Sequence, residues 1–170
     1  PDNLIPLCDV CNQDAKKAKD LFRDDEKNDR LAFYPHLEEA KDFVDIVVKN
    51  LHDPEPTIEV QWLTSDATTI SKLNTWDDIY EIRSRVEGKF RSLEAIIEDE
   101  INPVNPNQLQ IRIGQEARPT SDATLKRKEW AFWYQKLFAA LQQNDLAPFL
   151  AKWEFVHQQS IDGGEYILRN

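Results

Sequence analysis

Several residue types and segment types are rare or absent in this sequence. Its 170 residues include no methionine, even at the first position, only four glycines and only two cysteines. No run of about 18 apolar residues appears, and no basic segment followed by an apolar one opens the chain, so neither a membrane-spanning helix nor a signal peptide is expected. The cysteines stand close together, unlike the dispersed pattern of disulfide-stapled secreted domains. These absences predict a cytoplasmic protein whose natural N-terminus precedes Pro1.

The composition that remains is that of a folded protein. Hydrophobic residues make up 41% of the chain and aromatic residues 10%, which is enough for the core of one ordinary domain. The formal net charge is −10. Because non-specific binding to nucleic acid depends on Lys and Arg replacing the counterions of phosphates, this charge opposes a broad electrostatic contact surface. Any surface that faces phosphates is therefore expected to be local.

Hydrophobic periodicity predicts an α+β fold that is mainly α, with a few short strands. Pro and Asn-Pro segments mark the ends of several elements. Helices are expected over Asp9–Arg23, Leu37–Leu51, Thr75–Ile101, Thr120–Leu141 and Leu146–His157, strands over Ile58–Trp62 and Leu109–Ile113, and a solvated turn over Asp24–Arg30. In the longest of these helices Thr75 and Asp78 resemble a capping box, and the apolar residues from Ile79 to Ile101 form one stripe.

The segment most informative about chemistry runs from Asn3 to Asn12 and reads Asn-Leu-Ile-Pro-Leu-Cys-Asp-Val-Cys-Asn. Its Cys-x-x-Cys spacing, just before a predicted helix, directs the thiolates of Cys8 and Cys11 at one zinc ion. A structural zinc ion takes four ligands. The other two are therefore expected upstream of Pro1.

This segment, with Lys16 and Lys17 after it, resembles the second half of the motif of HNH endonucleases, in which a hairpin and a helix surround a catalytic metal. The resemblance implies a partial ββα-metal motif at the N-terminal edge. It makes Asn3 the residue that orients a general-base His, and Asn12 a ligand of the catalytic Mg²⁺ or Mn²⁺. The resemblance also places Lys16 or Lys17 near a phosphate, and makes Cys8 and Cys11 half of a structural zinc site.

Two regions follow from the resemblance. Residues 1–30 are expected to be the C-terminal half of the HNH motif, and residues 31–170 a helical supporting or docking region. None of the three histidines precedes Asn3. The base His is therefore expected upstream, and this chain alone is expected not to cut DNA.

Each of these residues also has an alternative role. A Cys-x-x-Cys pair between a strand and a helix is also the layout of a thioredoxin-like redox site. Asn12 is also a residue type that caps helices. His36 follows a proline and is interpreted as a surface residue rather than a ligand.

Two segments near the C-terminus are candidates for contact with other molecules. The basic run Lys126, Arg127 and Lys128 is either a DNA contact or a solvated helical face. The aromatic residues Trp130, Phe132 and Trp133 wrap widely around one predicted helix, which favours a partner-binding surface over an internal core. That hypothesis requires Phe132 and at least one of the tryptophans to be exposed.

The sequence therefore predicts a metal-dependent endonuclease that hydrolyses phosphodiester bonds of nucleic acid, most simply DNA. The resemblance to bacterial HNH proteins of anti-phage systems adds an ATPase subunit or a second copy of the chain as expected partners, and no membrane. The alternative is a non-catalytic scaffold in which the cysteine knuckle is only structural and the acidic helical body binds another subunit.

Overall fold

The computed structural model describes residues 19–34, 37–53, 56–119, 121 and 130–161, and the burial of side chains up to residue 157. Within these residues a two-stranded antiparallel sheet precedes six α-helices, which confirms an α+β fold that is mainly α. The elements are β1 (Val44–Lys49), β2 (Thr57–Trp62), α1 (Ala67–Tyr80), α2 (Ile82–Lys89), α3 (Leu93–Glu100), α4 (Pro106–Glu116), α5 (Ala131–Gln142) and α6 (Ala147–Ile161). No described helix is long and apolar enough to cross a membrane.

The first strand replaces the helix that was predicted over Leu37–Leu51. A short 3₁₀ turn over Ala40–Phe43 leads directly into β1, in which Val44, Ile46 and Val48 are buried and alternate with less buried residues. The prediction was wrong because the apolar residues of this segment fit a helical spacing as well as the two-residue alternation of a strand. β-branched residues favour the strand. β2 confirms the strand predicted over Ile58–Trp62.

The long helix predicted over Thr75–Ile101 is three helices. Its true start is Ala67, where the carboxylate of Asp66 accepts a hydrogen bond from the amide of Thr69 at 2.7 Å, so the predicted capping box at Thr75 and Asp78 is wrong. Glu81 interrupts the run with a left-handed backbone at φ 54°. The predicted apolar stripe is nevertheless largely buried, at Ile79, Val86, Phe90, Leu93, Ile97 and Ile101.

The strand predicted over Leu109–Ile113 is the helix α4. Asn105 caps it by accepting a hydrogen bond from the amide of Gln108 at 2.8 Å, and Pro106 occupies its first turn, as is common at helix N-termini. Leu109 and Ile113 are fully buried, whereas Ile111 between them is 60% exposed. The alternation of apolar residues was therefore the coincidence, and the four-residue spacing was the helical signal.

At both ends of the described chain the structure differs from the predicted helix bounds. Residues 19–23, the described part of the predicted helix Asp9–Arg23, are not helical. α5 confirms the helix predicted over Thr120–Leu141 only from Ala131 onward, because Trp130 just before it has a left-handed backbone at φ 64° and Ser121 is not helical. α6 confirms the helix predicted from Leu146 and extends it to Ile161.

The chain divides into two compact units. Unit 1 comprises residues 1–45 and 60–88, and unit 2 comprises residues 46–59 and 89–170. In unit 2, α4 packs against α5 and α6, and the side chains of Phe90, Phe138 and Phe149 are almost completely buried. Unit 1 contains α1, α2 and the residues that directly follow the predicted HNH motif.

Candidate functional site

Most residues of the predicted site lie outside the described part of the chain. These are Asn3, Cys8, Cys11, Asn12, Lys16 and Lys17 of the motif, His36, and the basic run Lys126, Arg127 and Lys128. The described chain begins at Lys19, seven residues after Asn12. The residues that follow the motif in the sequence, from Lys19 to Asp45, belong to unit 1.

Residues 24–29 form a tight acidic turn. The carboxylate of Asp24 accepts hydrogen bonds from the backbone amide of Asn28 at 2.8 Å and from its side-chain amide at 2.9 Å. These bonds hold the pKa of Asp24 below its usual value. Lys27 takes a left-handed backbone with φ 68°, and its amide donates to the carbonyl of Asp24 at 3.0 Å. The turn is thus closed by both backbone and side-chain bonds.

The turn brings the two chain segments on either side of it together. Arg23 and Asp29 form an antiparallel bridge, and the amide of Arg30 donates to the carbonyl of Phe22 at 2.8 Å. The turn was predicted from its charges alone, and the structure confirms it. What the charges did not indicate is that Lys19 and Arg30 reach the same residue.

Both cations bind Asp78, near the C-terminal end of α1. A guanidinium nitrogen of Arg30 lies 2.5 Å from a carboxylate oxygen of Asp78. The ammonium of Lys19 donates to the backbone carbonyl of Asp78 at 2.5 Å and lies 3.7 Å from its other carboxylate oxygen. We refer to Lys19, Arg30 and Asp78 as the anchor.

The position of the anchor on α1 explains its chemistry. The last four carbonyls of an α-helix have no partner in the helix, and its C-terminal end carries partial negative charge. The carbonyl of Asp78 is one of these groups, since α1 ends at Tyr80. The Lys19 ammonium satisfies it from a distant part of the chain. The Arg30 side chain is only 18% exposed, which makes its ion pair the better shielded of the two.

An open groove lies between the acidic turn and α1. Its volume is about 450 Å³, and Asp24, Arg30, Ser71, Asn74 and Asp78 contribute to its walls. The walls thus carry both signs of charge and several hydroxyl or amide groups. Thr75 also lines the groove, and its polar side chain is buried.

A second polar cluster stiffens the same helix. The carboxylate of Asp77 accepts hydrogen bonds from the amide of Arg83 at 2.8 Å and from its guanidinium at 2.6 Å. The Arg83 guanidinium lies 5.1 Å from the ring centroid of Trp62, whose indole N–H donates to Asn74 at 3.1 Å. These contacts tie β2, α1 and α2 together independently of the anchor.

The aromatic residues predicted to bind a partner are on α5 and at its start. Trp130, Phe132 and Trp133 are all half-buried. The Phe132 ring lies 5.0 Å from that of Trp133, edge to face, and 5.7 Å from the Lys136 ammonium. This burial does not meet the exposure that the interface hypothesis required. The large apolar residues that are exposed in unit 2 lie elsewhere, at Val104, Ile111, Phe155 and Val156.

Tyr134, on the same helix, is part of the interior of unit 2. Its ring lies 5.3 Å from that of Phe90. Burial, and then the nearby Glu100 and Asp99 carboxylates, raise the pKa of Tyr134 to about 12. Tyr134 therefore remains a neutral phenol that donates to Glu100 across the neutral pH range.

Among the described residues no group of three or more His, Cys, Asp and Glu side chains is placed to hold a metal ion. Of the described histidines, His52 follows β1, and His157 stacks on Trp153 at 4.7 Å. The predicted metal ligands Cys8, Cys11 and Asn12 lie outside the described residues.

Sequence reasoning missed the anchor. Lys19 and Asp78 are 59 residues apart, and no local pattern connects them. Asp78 was explained instead as part of a capping box. The turn itself had a usable signal, since Asp and Asn side chains readily bond backbone amides in turns.

Comparison with known proteins adds no relative: no protein-family model matches the chain, and no curated protein or solved structure is significantly similar to it.

Proposed function

We propose that this chain carries the second half of an HNH-type endonuclease motif and belongs to a metal-dependent nuclease that hydrolyses phosphodiester bonds of nucleic acid. The observation that carries the proposal is the segment Asn3–Asn12, with Asn, Pro-Leu, Cys-x-x-Cys and Asn in the order of that motif. A zinc knuckle alone requires only the cysteines. The two asparagines that flank them favour the nuclease.

The roles proposed for the residues follow the resemblance. Asn3 orients a general-base His that precedes it, and Asn12 binds the catalytic Mg²⁺ or Mn²⁺ through its amide oxygen. Such a metal stabilises charge on the phosphate and its leaving oxygen. Cys8 and Cys11 hold half of a zinc shell that fixes the turn before the helix.

The described structure supports the proposal through the anchor. A nuclease motif must be held rigidly if its ligands are to keep their geometry. The chain leaves the motif and is bound at Lys19 to α1 within the next few residues. The acidic turn then returns it to the same point at Arg30. Unit 1 thus holds at two points the residues that follow the motif in the sequence.

The substrate and partners are part of the same proposal. Lys16, Lys17 and the basic run Lys126–Lys128 are proposed to contact phosphates of DNA, since a chain of net charge −10 needs local positive patches for this contact. A role in anti-phage defence, with an ATPase subunit or a second copy of the chain, is proposed from the resemblance alone, and a cytoplasmic location from the sequence composition.

Plasmid nicking in Mg²⁺ or Mn²⁺ by the protein in its natural full length tests the proposal. The wild type is expected to nick, and Asn12→Ala to reduce the rate by about a hundredfold or more, as expected when positioned catalytic geometry is lost. Asn107→Ala is a matched control, because Asn107 is an exposed amide of α4 in the other unit. Its rate should equal that of the wild type.

Elemental analysis separates the nuclease from a scaffold. Stoichiometric zinc that is lost in Cys8→Ser or Cys11→Ser, together with no nicking by the wild type, would favour the scaffold. Nicking that survives Asn12→Ala would contradict the assignment of that residue.

A further inference from the structure

We infer that Asp78 is the positioning residue of the proposed nuclease: it fixes residues 19–30, which follow the HNH motif in the sequence, to α1. This inference rests on the proposed function for its catalytic consequence. The contacts that support it lie entirely among described residues of unit 1.

The side chains of Lys19 and Arg30 meet at one residue. Lys19 and Arg30 stand on the two sides of the acidic turn, and both side chains end on Asp78, one on its carbonyl at 2.5 Å and one on its carboxylate at 2.5 Å. The bridge between Arg23 and Asp29 joins the two segments between these points. The segment is therefore a closed loop fastened to α1 at a single residue.

Among the described residues, no other ion pair or side-chain hydrogen bond holds residues 19–30 to α1 as the contacts with Asp78 do. Asp77, the neighbour of Asp78, is engaged with Arg83 on α2, and its bonds do not involve residues 19–30. Glu38 binds Lys72 of α1 at 2.5 Å, eight residues beyond Arg30 along the chain. The ion pairs and side-chain hydrogen bonds that join the described residues 19–30 to α1 therefore all end on Asp78.

The carboxylate of Asp78 faces two cations. Neutralising Asp78 therefore leaves the positive charges of Lys19 and Arg30 facing each other. Asn at position 78 keeps the shape and the backbone carbonyl but removes the charge. Glu keeps the charge on a side chain one methylene longer. The effects of Asn and Glu therefore separate charge from volume.

The experiment compares Asp78→Asn, Asp78→Ala and Asp78→Glu in the natural full-length protein, with Asp77→Asn as the matched control. Asp77→Asn makes the same chemical change on the same helix and breaks an ion pair of similar length. The measurements are amide hydrogen exchange of residues 19–30, and kcat and KM of plasmid cleavage.

If Asp78 positions the motif, exchange of residues 19–30 rises in Asp78→Asn and Asp78→Ala but not in Asp77→Asn. We expect kcat to fall about tenfold or more with KM nearly unchanged, because misplaced catalytic groups affect the reaction more than binding. Asp78→Glu should restore at least half of the lost rate. A merely structural role would lower the melting temperature in all variants without this split.

Unchanged exchange in Asp78→Ala would overturn the anchor, and faster exchange with an unchanged kcat would overturn its positioning role. A wild-type protein that does not cut nucleic acid would overturn the nuclease proposal itself. In that case the exchange of residues 19–30 decides alone whether Asp78 fixes the segment.

Discussion

Apolar burial is unevenly divided between the two units. Of the buried apolar side chains among the described residues, unit 1 contributes Val44, Val60, Leu73, Ile79 and Val86. The others, including every buried Phe and Trp, belong to unit 2. Ion pairs are present in both units, and unit 2 has Lys49–Glu59, Arg112–Glu116 and Lys152–Glu94. In unit 1, where Lys19, Arg30, Lys72 and Arg83 pair with carboxylates, the ion pairs accompany far fewer buried apolar side chains.

This difference in apolar burial indicates which kind of interaction determines the geometry of each unit. Buried apolar area stabilises without direction, at about 25 cal/mol per Å², and suits a supporting body. Ion pairs and hydrogen bonds are directional, and exposed ones contribute only about 0–1 kcal/mol each. Unit 1 therefore resembles a region in which contacts specify orientation, and unit 2 one in which they provide stability.

The largest expected effect is in unit 2. Phe138→Ala, at a ring that is 1% exposed, should lower the free energy of unfolding by about 3–5 kcal/mol because it leaves a cavity. Urea denaturation measures the change. Phe155→Ala is the matched control, since that ring is 62% exposed and its loss should change the free energy by less than about 0.5 kcal/mol. Equal effects of the two variants would refute the assigned core.

A smaller effect is expected at the start of α1 in unit 1. Asp66→Ala removes the N-cap and should lower the free energy of unfolding. Hydrogen bonds from Thr69 lower the pKa of Asp66 below its usual 3.8. The cap's contribution is thus fully present above pH 3.8 and is lost as pH falls through the lower folded-state pKa.

A pH series of thermal unfolding checks the cap. The difference in stability between wild type and Asp66→Ala should shrink as the solution becomes more acidic than pH 3.8. Asp53→Ala, at an exposed carboxylate after β1, serves as the control and should leave both stability and its pH dependence unchanged.

The glycines allow a stabilising change in each unit. A Cβ at Gly88, in the last turn of α2, would meet no atom within 4 Å. Gly88→Ala should therefore raise the free energy of unfolding by about 0.5–1 kcal/mol, because alanine restricts the unfolded chain and favours helix. At Gly114 the added Cβ would lie 3.6 Å from Gln142, an ordinary contact, so Gly114→Ala should stabilise α4 similarly. A loss of stability in either variant would show that the helix packs more tightly than described.

The smallest effect is the response of the anchor to salt. At about 1 M salt the Debye length is about 3 Å, which screens exposed ion pairs. Amide exchange of residues 19–30 should accelerate by a few-fold, the equivalent of about 0.2–1 kcal/mol, while amides of α5 remain unaffected. Equal acceleration in both regions would remove the contrast between the units.

The sequence predicted the class of fold because burial follows local periodicity. It misassigned elements where two periods coincide: Leu109, Ile111 and Ile113 fit both a strand and a helix, and only the exposure of Ile111 distinguishes them. Asn105-Pro106, which caps α4, was the local signal that could have decided. The break at Glu81 had no comparable signal, because no Gly, Pro or Asn marks this left-handed position in the sequence.

Less of the predicted site than of the fold could be inferred from the sequence. Short motifs such as Cys8-x-x-Cys11 are local and visible in the sequence. The support of the motif is not local, since Lys19 and Arg30 meet Asp78 across 59 and 48 residues. Charges that pair over such distances look, in the sequence, like any solvated residues.

The central claim is that the segment Asn3–Asn12 belongs to a nuclease, and metal-dependent cleavage measures it most directly. Supercoiled plasmid is incubated with the natural full-length protein in Mg²⁺, in Mn²⁺ and in EDTA, beside its Asn12→Ala and Asn107→Ala variants. The account predicts nicking by the wild type and Asn107→Ala only when metal is present, and little or none by Asn12→Ala. Nicking in EDTA, or the same rate in Asn12→Ala as in the wild type, would contradict it.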